Sequence, residues 1–150
     1  MAASQALSGE HIRRLVAELA DHLRGSNVEY RLVIAEVAAQ HDLAGNWLNH
    51  NARLFTPATL ETESCADIFT SSSLILLGVP LDLLFIMKLH RANPEDVADM
   101  IRLWPLVRGC FASFDDVVLR YHEAYPMAEE SESLAQFIAH IAQEAEELGR

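Results

Sequence analysis

The segment Leu83–Met100, with the sequence LLFIMKLHRANPEDVADM, constrains the fold of this chain more than any other segment. An apolar stretch runs into Lys88 and Arg91, and the dipeptide Asn93-Pro94 then interrupts it. Proline breaks a helix from within, but it fits the first helical position after an asparagine that caps the helix N-terminus. We therefore predict a buried helix over 81–90 and a second helix that begins at residue 94.

The rest of the chain shows mostly helical periodicity. Apolar residues at helical spacing predict helices over 9–24, 28–41, 115–125 and 133–148. The strand-like segments Ala66–Thr70 and Ser73–Leu77 predict a hairpin. The stretch YRLVI within 28–41 is rich enough in β-branched residues to be a strand instead. The predicted fold class is α+β and mainly helical, with about six helices and a small two-stranded sheet element.

Capping and core positions follow from the same patterns. Ser8, Asn93 and Ser113 have the position and side chain of helix N-caps. In each terminal helix and in the second helix, apolar residues that recur at helical spacing mark the core face. These predicted core residues are Ile12, Leu15, Val16, Leu19, Leu23, Leu32, Val33, Val37, Ala38, Leu134, Phe137, Ile138, Ile141, Ala145 and Leu148.

Composition and charge exclude several classes of function. The chain has 150 residues, 22 acidic and 11 basic, and a net charge of −11. General nucleic-acid binding needs clustered Lys and Arg, whereas the basic residues here are scattered. The longest basic run is Arg13-Arg14, which leaves a local basic pocket open. The longest apolar run, Leu74–Met87, contains Pro80 and Asp82 and is too short to span a bilayer.

Chain length and the N-terminal sequence also predict the number of domains and the cellular location of the protein. A chain of this length suits one domain over 1–150, with an N-terminal helix in 1–27 and an amphipathic helix over 133–148. The N-terminus lacks the pattern of a secretory signal, so we expect a cytoplasmic protein without membrane contact. Cys65 and Cys110 have no metal-type spacing, and neither have His41, His50, His90 and His122.

Three segments together resemble one bacterial family. They are VIAEVAAQHDLAGNWLNHNARLF (Val33–Phe55), LGVPLDLLFIMKLHRANPEDVADMIRLWP (Leu77–Pro105) and FASFDDVVLRYHEAYP (Phe111–Pro126). Their order is similar to a nucleotidyltransferase-like family of unknown function, distantly related to the AbiEii-type nucleotidyltransferases of toxin–antitoxin systems. The resemblance covers about 28–141 and implies a truncated nucleotidyltransferase-like domain.

The catalytic segment of that family is missing from this chain. Family members carry a strand that ends in Gly-Gly or Gly-Ser and then an Asp-x-Asp strand, whose two carboxylates hold Mg²⁺. No Asp-x-Asp occurs in this sequence, and Gly25-Ser26 follows a predicted helix rather than a strand. The loss of this strand should remove catalysis.

The resemblance still implies roles for four residues near the Asn-Pro break. Lys88 and Arg91 become candidates for nucleotide binding, and Lys88, Asp96 and Asp99 become catalytic candidates. A purely structural alternative exists for each residue. Lys88 would extend from the end of a buried helix, Asp96 would cap the next helix, and Asp99 would pair with Arg91 or Arg102.

Two functions follow. The first is a non-catalytic nucleotidyltransferase-derived protein that needs no cofactor and acts through protein–protein contact or self-association, in a toxin–antitoxin or defence pair. The predicted helix 133–148 would supply its contact surface. The alternative is a Mg²⁺-dependent nucleotidyltransferase with an acidic site rebuilt from Glu36, Glu61, Glu63 or Asp67. Glu61 and Glu63 would share one face of an extended strand, but their surroundings are typical of a solvated loop.

Overall fold

A computed structural model describes residues 9–23, 30–44, 48, 54–129 and 132–149. These residues form six α-helices and one two-stranded antiparallel sheet, so the predicted mainly helical α+β class is confirmed. The elements in chain order are α1 (Gly9–Leu23), α2 (Tyr30–Gln40), β1 (Ala66–Thr70), β2 (Ile75–Gly78), α3 (Leu81–Arg91), α4 (Pro94–Val107), α5 (Phe114–Ala124) and α6 (Glu132–Leu148). The predicted cap Ser8 and the Gly25-Ser26 pair lie outside the described residues.

The chain divides into two compact units, and each unit is built from two separate pieces of sequence. The first unit combines Met1–Asn51 with Ala66–Gly78, and the second combines Ala52–Cys65 with Val79–Arg150. The expectation of one domain over 1–150 stays a prediction. Among the described helices, none has the length and apolar character needed to cross a membrane.

The first unit contains a small apolar core from α1 and α2. The predicted core residues that are buried here are Leu15, Val16, Leu19, Val33, Val37 and Ala38. Leu32 was predicted wrongly, because its side chain is 61% exposed and Ile34 is buried instead. Ile34 lies one helical turn before Ala38 and shares its face, whereas Leu32 points away from that face. The strand alternative for YRLVI is also wrong, since this stretch begins α2.

The predicted hairpin is confirmed, but its second strand begins two residues further along the chain than predicted. β1 and β2 pair antiparallel, with Ala66 opposite Gly78 and Thr70 opposite Ile75. The second strand begins at Ile75 rather than Ser73, because Ser73 belongs to the turn and donates its Oγ–H to the Ala20 carbonyl of α1 at 2.8 Å. This bond and the packing of α1 against β1 join the hairpin to the helices of the same unit.

The second unit contains the larger core, formed by α3, α4, α5 and α6. Side chains with no exposed surface come from all four helices: Phe85, Met100, Val107, Val117, Ile138 and Ile141. The apolar face of α6 packs against α4 and α5, so its predicted role as an exposed contact surface is wrong. Leu148, at the end of the predicted stripe, is exposed rather than buried. The prediction that α3 is buried holds for Phe85, Ile86 and Leu89, but Leu81 is exposed.

Two of the predicted N-caps are present in the second unit. The Asn93 side-chain oxygen accepts a hydrogen bond from the Asp96 backbone N–H at 2.8 Å, at the start of α4. Ser113 Oγ accepts a hydrogen bond from the Asp116 backbone N–H at 3.2 Å, at the start of α5. Each bond satisfies a backbone donor that the first turn of a helix leaves without an intrahelical partner.

Candidate functional site

The candidate phosphate-binding residues lie at the corner where α3 ends and α4 begins. Ala92 ends α3 in the left-handed conformation, with φ 45° and ψ 33°, and its N–H donates to the Lys88 carbonyl at 2.8 Å. Asn93 then caps α4. Because the connection is so short, the last turn of α3, which carries Arg91, lies beside the first turn of α4, which carries Asp96.

Asp96 is the buried acidic group of this corner, with a side chain 0% exposed. The Arg91 guanidinium binds both carboxylate oxygens, with Nε 2.6 Å from Oδ2 and Nη2 2.5 Å from Oδ1. Lys88 Nζ adds a third contact, 3.3 Å from Oδ1. The hydrogen bonds from Arg91 hold the pKa of Asp96 below its ordinary value, against the opposing effect of burial, and Lys88 contributes in the same direction. The same pairing raises the pKa of Arg91.

Asp99 extends this arrangement one turn further along α4. Lys88 Nζ donates to Asp99 Oδ2 at 2.7 Å, so the ammonium group bridges two carboxylates. Arg102 lies 3.6 Å from the other oxygen of Asp99, which confirms the predicted pair. The prediction that Asp96 caps α4 is wrong, because Asn93 is the cap and the Asp96 carboxylate faces the two cations of α3.

We call Lys88, Arg91, Asp96 and Asp99 the α3–α4 charge cluster. The structure brings these four candidate residues together in space. Their two positive and two negative charges neutralise one another through ion pairs. A phosphate at this corner would have to displace Asp96 from Arg91. Separating one partner of a buried ion pair costs about 3–5 kcal/mol, so the arrangement favours the internal pairing over a ligand.

The acidic residues considered for a rebuilt metal site are spread over different elements. Glu61 precedes a short 3₁₀ turn over Thr62–Ser64 and Glu63 lies within it, so the two are not on an extended strand. Both side chains are exposed, as are those of Glu36 on α2 and Asp67 on β1. Within the described part of the chain, no group of three or more His, Cys, Asp or Glu residues is placed to hold a metal ion.

A ring cluster centred on His90 lies next to Arg91 and was not predicted. The His90 ring stacks on Tyr125, with centroids 3.7 Å apart and an angle of 9° between planes, and its Nδ1 lies 3.1 Å from Tyr121 Oη. The Tyr125 hydroxyl donates to the Phe55 carbonyl at 2.6 Å. Burial lowers the pKa of His90 and, with the nearby Tyr121, raises the pKa of Tyr125 to about 12. The cluster therefore joins α3, α5 and the 54–65 segment through uncharged rings.

Two adjoining cavities lie along the C-terminal part of α4, and we call them together the α4 groove. Their volumes are about 340 and 350 Å³, and Trp104 and Arg108 line both. The Trp104 ring lies 5.9 Å from the Phe114 ring and runs parallel to the Phe111 ring at 6.4 Å, measured between centroids. Among the described residues, Arg108 has no ion-pair partner. The other lining residues are Pro105, Ala112, Ser113, Ala145, Glu146 and Gly149.

No known protein family, curated protein or solved structure matches this chain. The nucleotidyltransferase-like resemblance therefore stays a prediction that rests on the three sequence segments quoted above.

Proposed function

We propose that this chain is a non-catalytic, nucleotidyltransferase-derived protein that acts through contact with another protein. One observation carries the proposal: the candidate phosphate-binding cations, Lys88 and Arg91, are engaged by Asp96 and Asp99 of the same chain. Nucleotidyl transfer needs cations that are free for the triphosphate and carboxylates that are free for Mg²⁺. In the α3–α4 charge cluster each of these groups already has a partner, so the cluster serves to hold α3 against α4.

The α4 groove supports a contact function. Aromatic residues and arginine are enriched at protein interfaces and supply most of the residues whose loss weakens binding strongly. Trp104, which is 7% exposed, lines the groove beneath the exposed side chains of Phe114 and of Arg108, which has no ion-pair partner among the described residues. Phe114 is 41% exposed and lines the same cavity as Arg108, so it offers apolar surface that a partner could cover. The toxin–antitoxin or defence setting implied by the resemblance would supply such a partner.

The first experiment tests for catalysis. Calorimetry with each nucleoside triphosphate is expected to show no saturable heat that requires Mg²⁺, and no labelled nucleotide should be transferred to tRNA or protein. The Lys88→Met variant provides the control for any signal that does appear. Mg²⁺-dependent binding that this variant abolishes would overturn the proposal in favour of the alternative, a Mg²⁺-dependent nucleotidyltransferase.

The second experiment tests for contact at the α4 groove. A photo-crosslinking residue is placed at Phe114, and in a matched control at Leu119, which lies on the same helix, is 57% exposed and does not line the groove. In extract of the source cells, position 114 is expected to yield one discrete crosslinked protein and position 119 to yield none. Equal crosslinking from both positions, or none from either, would contradict a groove-mediated contact.

A further inference from the structure

A separate cavity of different chemistry lies in the first unit. It has a volume of about 650 Å³ and is lined by the N-terminal half of α1 and by Phe69 of β1. The lining residues on α1 are Glu10, His11, Arg13, Arg14 and Ala17. None of its described lining residues belongs to the α4 groove or to the α3–α4 charge cluster, and we call it the α1 groove.

The α1 groove contains the Arg13-Arg14 pair, which is the longest basic run of the sequence. Both side chains are exposed, and within the described part of the chain neither forms an ion pair. Glu10 lies one turn earlier on the same helix, yet it does not pair with either arginine. In a chain with twice as many acidic as basic residues, two adjacent arginines without acidic partners are unexpected.

We propose that the α1 groove binds a small phosphate monoester that carries a flat apolar ring. Guanidinium groups bind phosphate oxygens in a bidentate manner, and a phosphate monoester carries a charge of about −1.5 to −2 near pH 7. The charge of two guanidinium groups matches that of such a dianion, whereas a carboxylate carries a single negative charge. Glu10 also lines the groove, and its negative charge offsets part of the attraction that the arginines exert on any anionic ligand.

Phe69 is the reason for proposing a flat apolar ring on the ligand. Among the described residues that line the α1 groove, Phe69 is the one phenyl ring, and its side chain is only partly buried, so it has surface left to cover. A flat ligand ring on Phe69 would gain the offset or edge contact that aromatic pairs favour. The volume also suits a small ligand, since such sites measure about 300–1,000 Å³. This inference does not depend on the proposed partner contact, because the two grooves lie in different units.

The test measures binding of phenyl phosphate to the full chain by calorimetry at low ionic strength, where charge interactions are least screened. Saturable binding is expected, with lower affinity for inorganic phosphate and for glucose 6-phosphate, whose ring is hydroxylated rather than flat and apolar. Arg13→Gln and Arg14→Gln are each expected to weaken phenyl phosphate binding about tenfold, the size of one lost charge-assisted hydrogen bond.

Arg102→Gln is the matched control, because it makes the same change in net charge at a side chain that is 76% exposed and lies in the other unit. The affinity of this variant for phenyl phosphate should stay within about twofold of that of the unmodified chain. Phe69→Leu, which keeps an apolar side chain in place, should remove the preference for phenyl phosphate over inorganic phosphate and leave the affinity for inorganic phosphate unchanged. The proposal is overturned if no saturable binding occurs, if all three arginine variants behave alike, or if phenyl phosphate binds no better than glucose 6-phosphate.

Discussion

Replacing Arg91 with methionine is expected to destabilise the second unit by about 2 kcal/mol. Methionine keeps an unbranched apolar stem but removes the guanidinium group that binds both oxygens of Asp96. The buried carboxylate would then keep Lys88 as its remaining cation, at 3.3 Å. The loss of unfolding free energy in this variant therefore measures how much the Arg91–Asp96 ion pair stabilises the packing of α3 against α4.

The size of the effect lies between two limits. Exposed ion pairs contribute about 0–1 kcal/mol, whereas breaking a fully buried pair costs about 3–5 kcal/mol. Asp96 is 0% exposed, but part of its cover is Arg91 itself, whose side chain is 38% exposed. Removing Arg91 therefore lets water reach the carboxylate and restores part of its hydration. Lys88 retains part of the attraction, which places the expected loss in the middle of the range.

The effect should depend on pH in a defined direction. The pKa of Asp96 is lowered in the folded chain from an ordinary value of 3.8. Its stabilising contribution is therefore present above about pH 4 and is lost as the pH falls through the folded-state value. The difference in stability between the unmodified chain and Arg91→Met should shrink in the same window.

Urea denaturation followed by Trp104 fluorescence measures this difference, at pH 7 and at pH 3. A Trp47→Phe background leaves Trp104 as the single tryptophan, so the signal reports the second unit. Arg102→Met serves as the control and should cost less than about 0.5 kcal/mol, because its ion pair is exposed. The reasoning is refuted if Arg91→Met costs no more than this control at pH 7, or if its cost is the same at both pH values.

Two further predictions concern single residues of the second unit. Tyr125→Phe should cost about 1 kcal/mol, because it removes the 2.6 Å hydrogen bond to the Phe55 carbonyl. Since the pKa of Tyr125 is raised to about 12 in the folded chain, from 10.0, the unmodified chain should lose stability as the pH rises from about 10 towards 12. Urea denaturation at several pH values in that range should show that Tyr125→Phe loses less unfolding free energy than the unmodified chain. An equal loss in both proteins would contradict the attribution of this pH dependence to Tyr125. Ala92→Gly should raise the melting temperature by relieving the left-handed conformation, a gain of about 0.5–1 kcal/mol, and a lower melting temperature would contradict it.

The elements of the fold that local signals specify were predictable. Asn93 and Ser113 were recognised as caps because a cap bonds to a backbone group only three residues away. The face of α2 was harder, since Leu32 and Ile34 are both apolar and only packing against α1 decides which one is buried. The burial of α6 illustrates the same limit, because an amphipathic pattern does not tell whether the apolar face meets its own chain or a partner.

The candidate site was predictable in its members but not in its chemistry. The family resemblance named Lys88, Arg91, Asp96 and Asp99, which are close along the chain and meet across one short connection, while their nucleotide-binding or catalytic role stays a prediction. That these groups neutralise one another depends on side-chain geometry that spacing does not encode. The stacking of His90 on Tyr125 joins residues far apart in sequence, as does the α1 groove, so neither could be predicted from local patterns.

The way the two units share the polypeptide limits how the protein can be divided. The chain passes from one unit to the other three times, near residues 51, 65 and 78. A single proteolytic cut therefore cannot release either unit as an uninterrupted polypeptide, and truncation before α3 would also remove the Phe55 carbonyl that accepts the Tyr125 hydrogen bond. To obtain the second unit alone, an engineer would have to remove residues 1–51, excise the hairpin and join residue 65 to residue 79 with a new turn. Recombination between genes faces the same constraint, since the exchange of one whole unit requires crossovers at all three junctions.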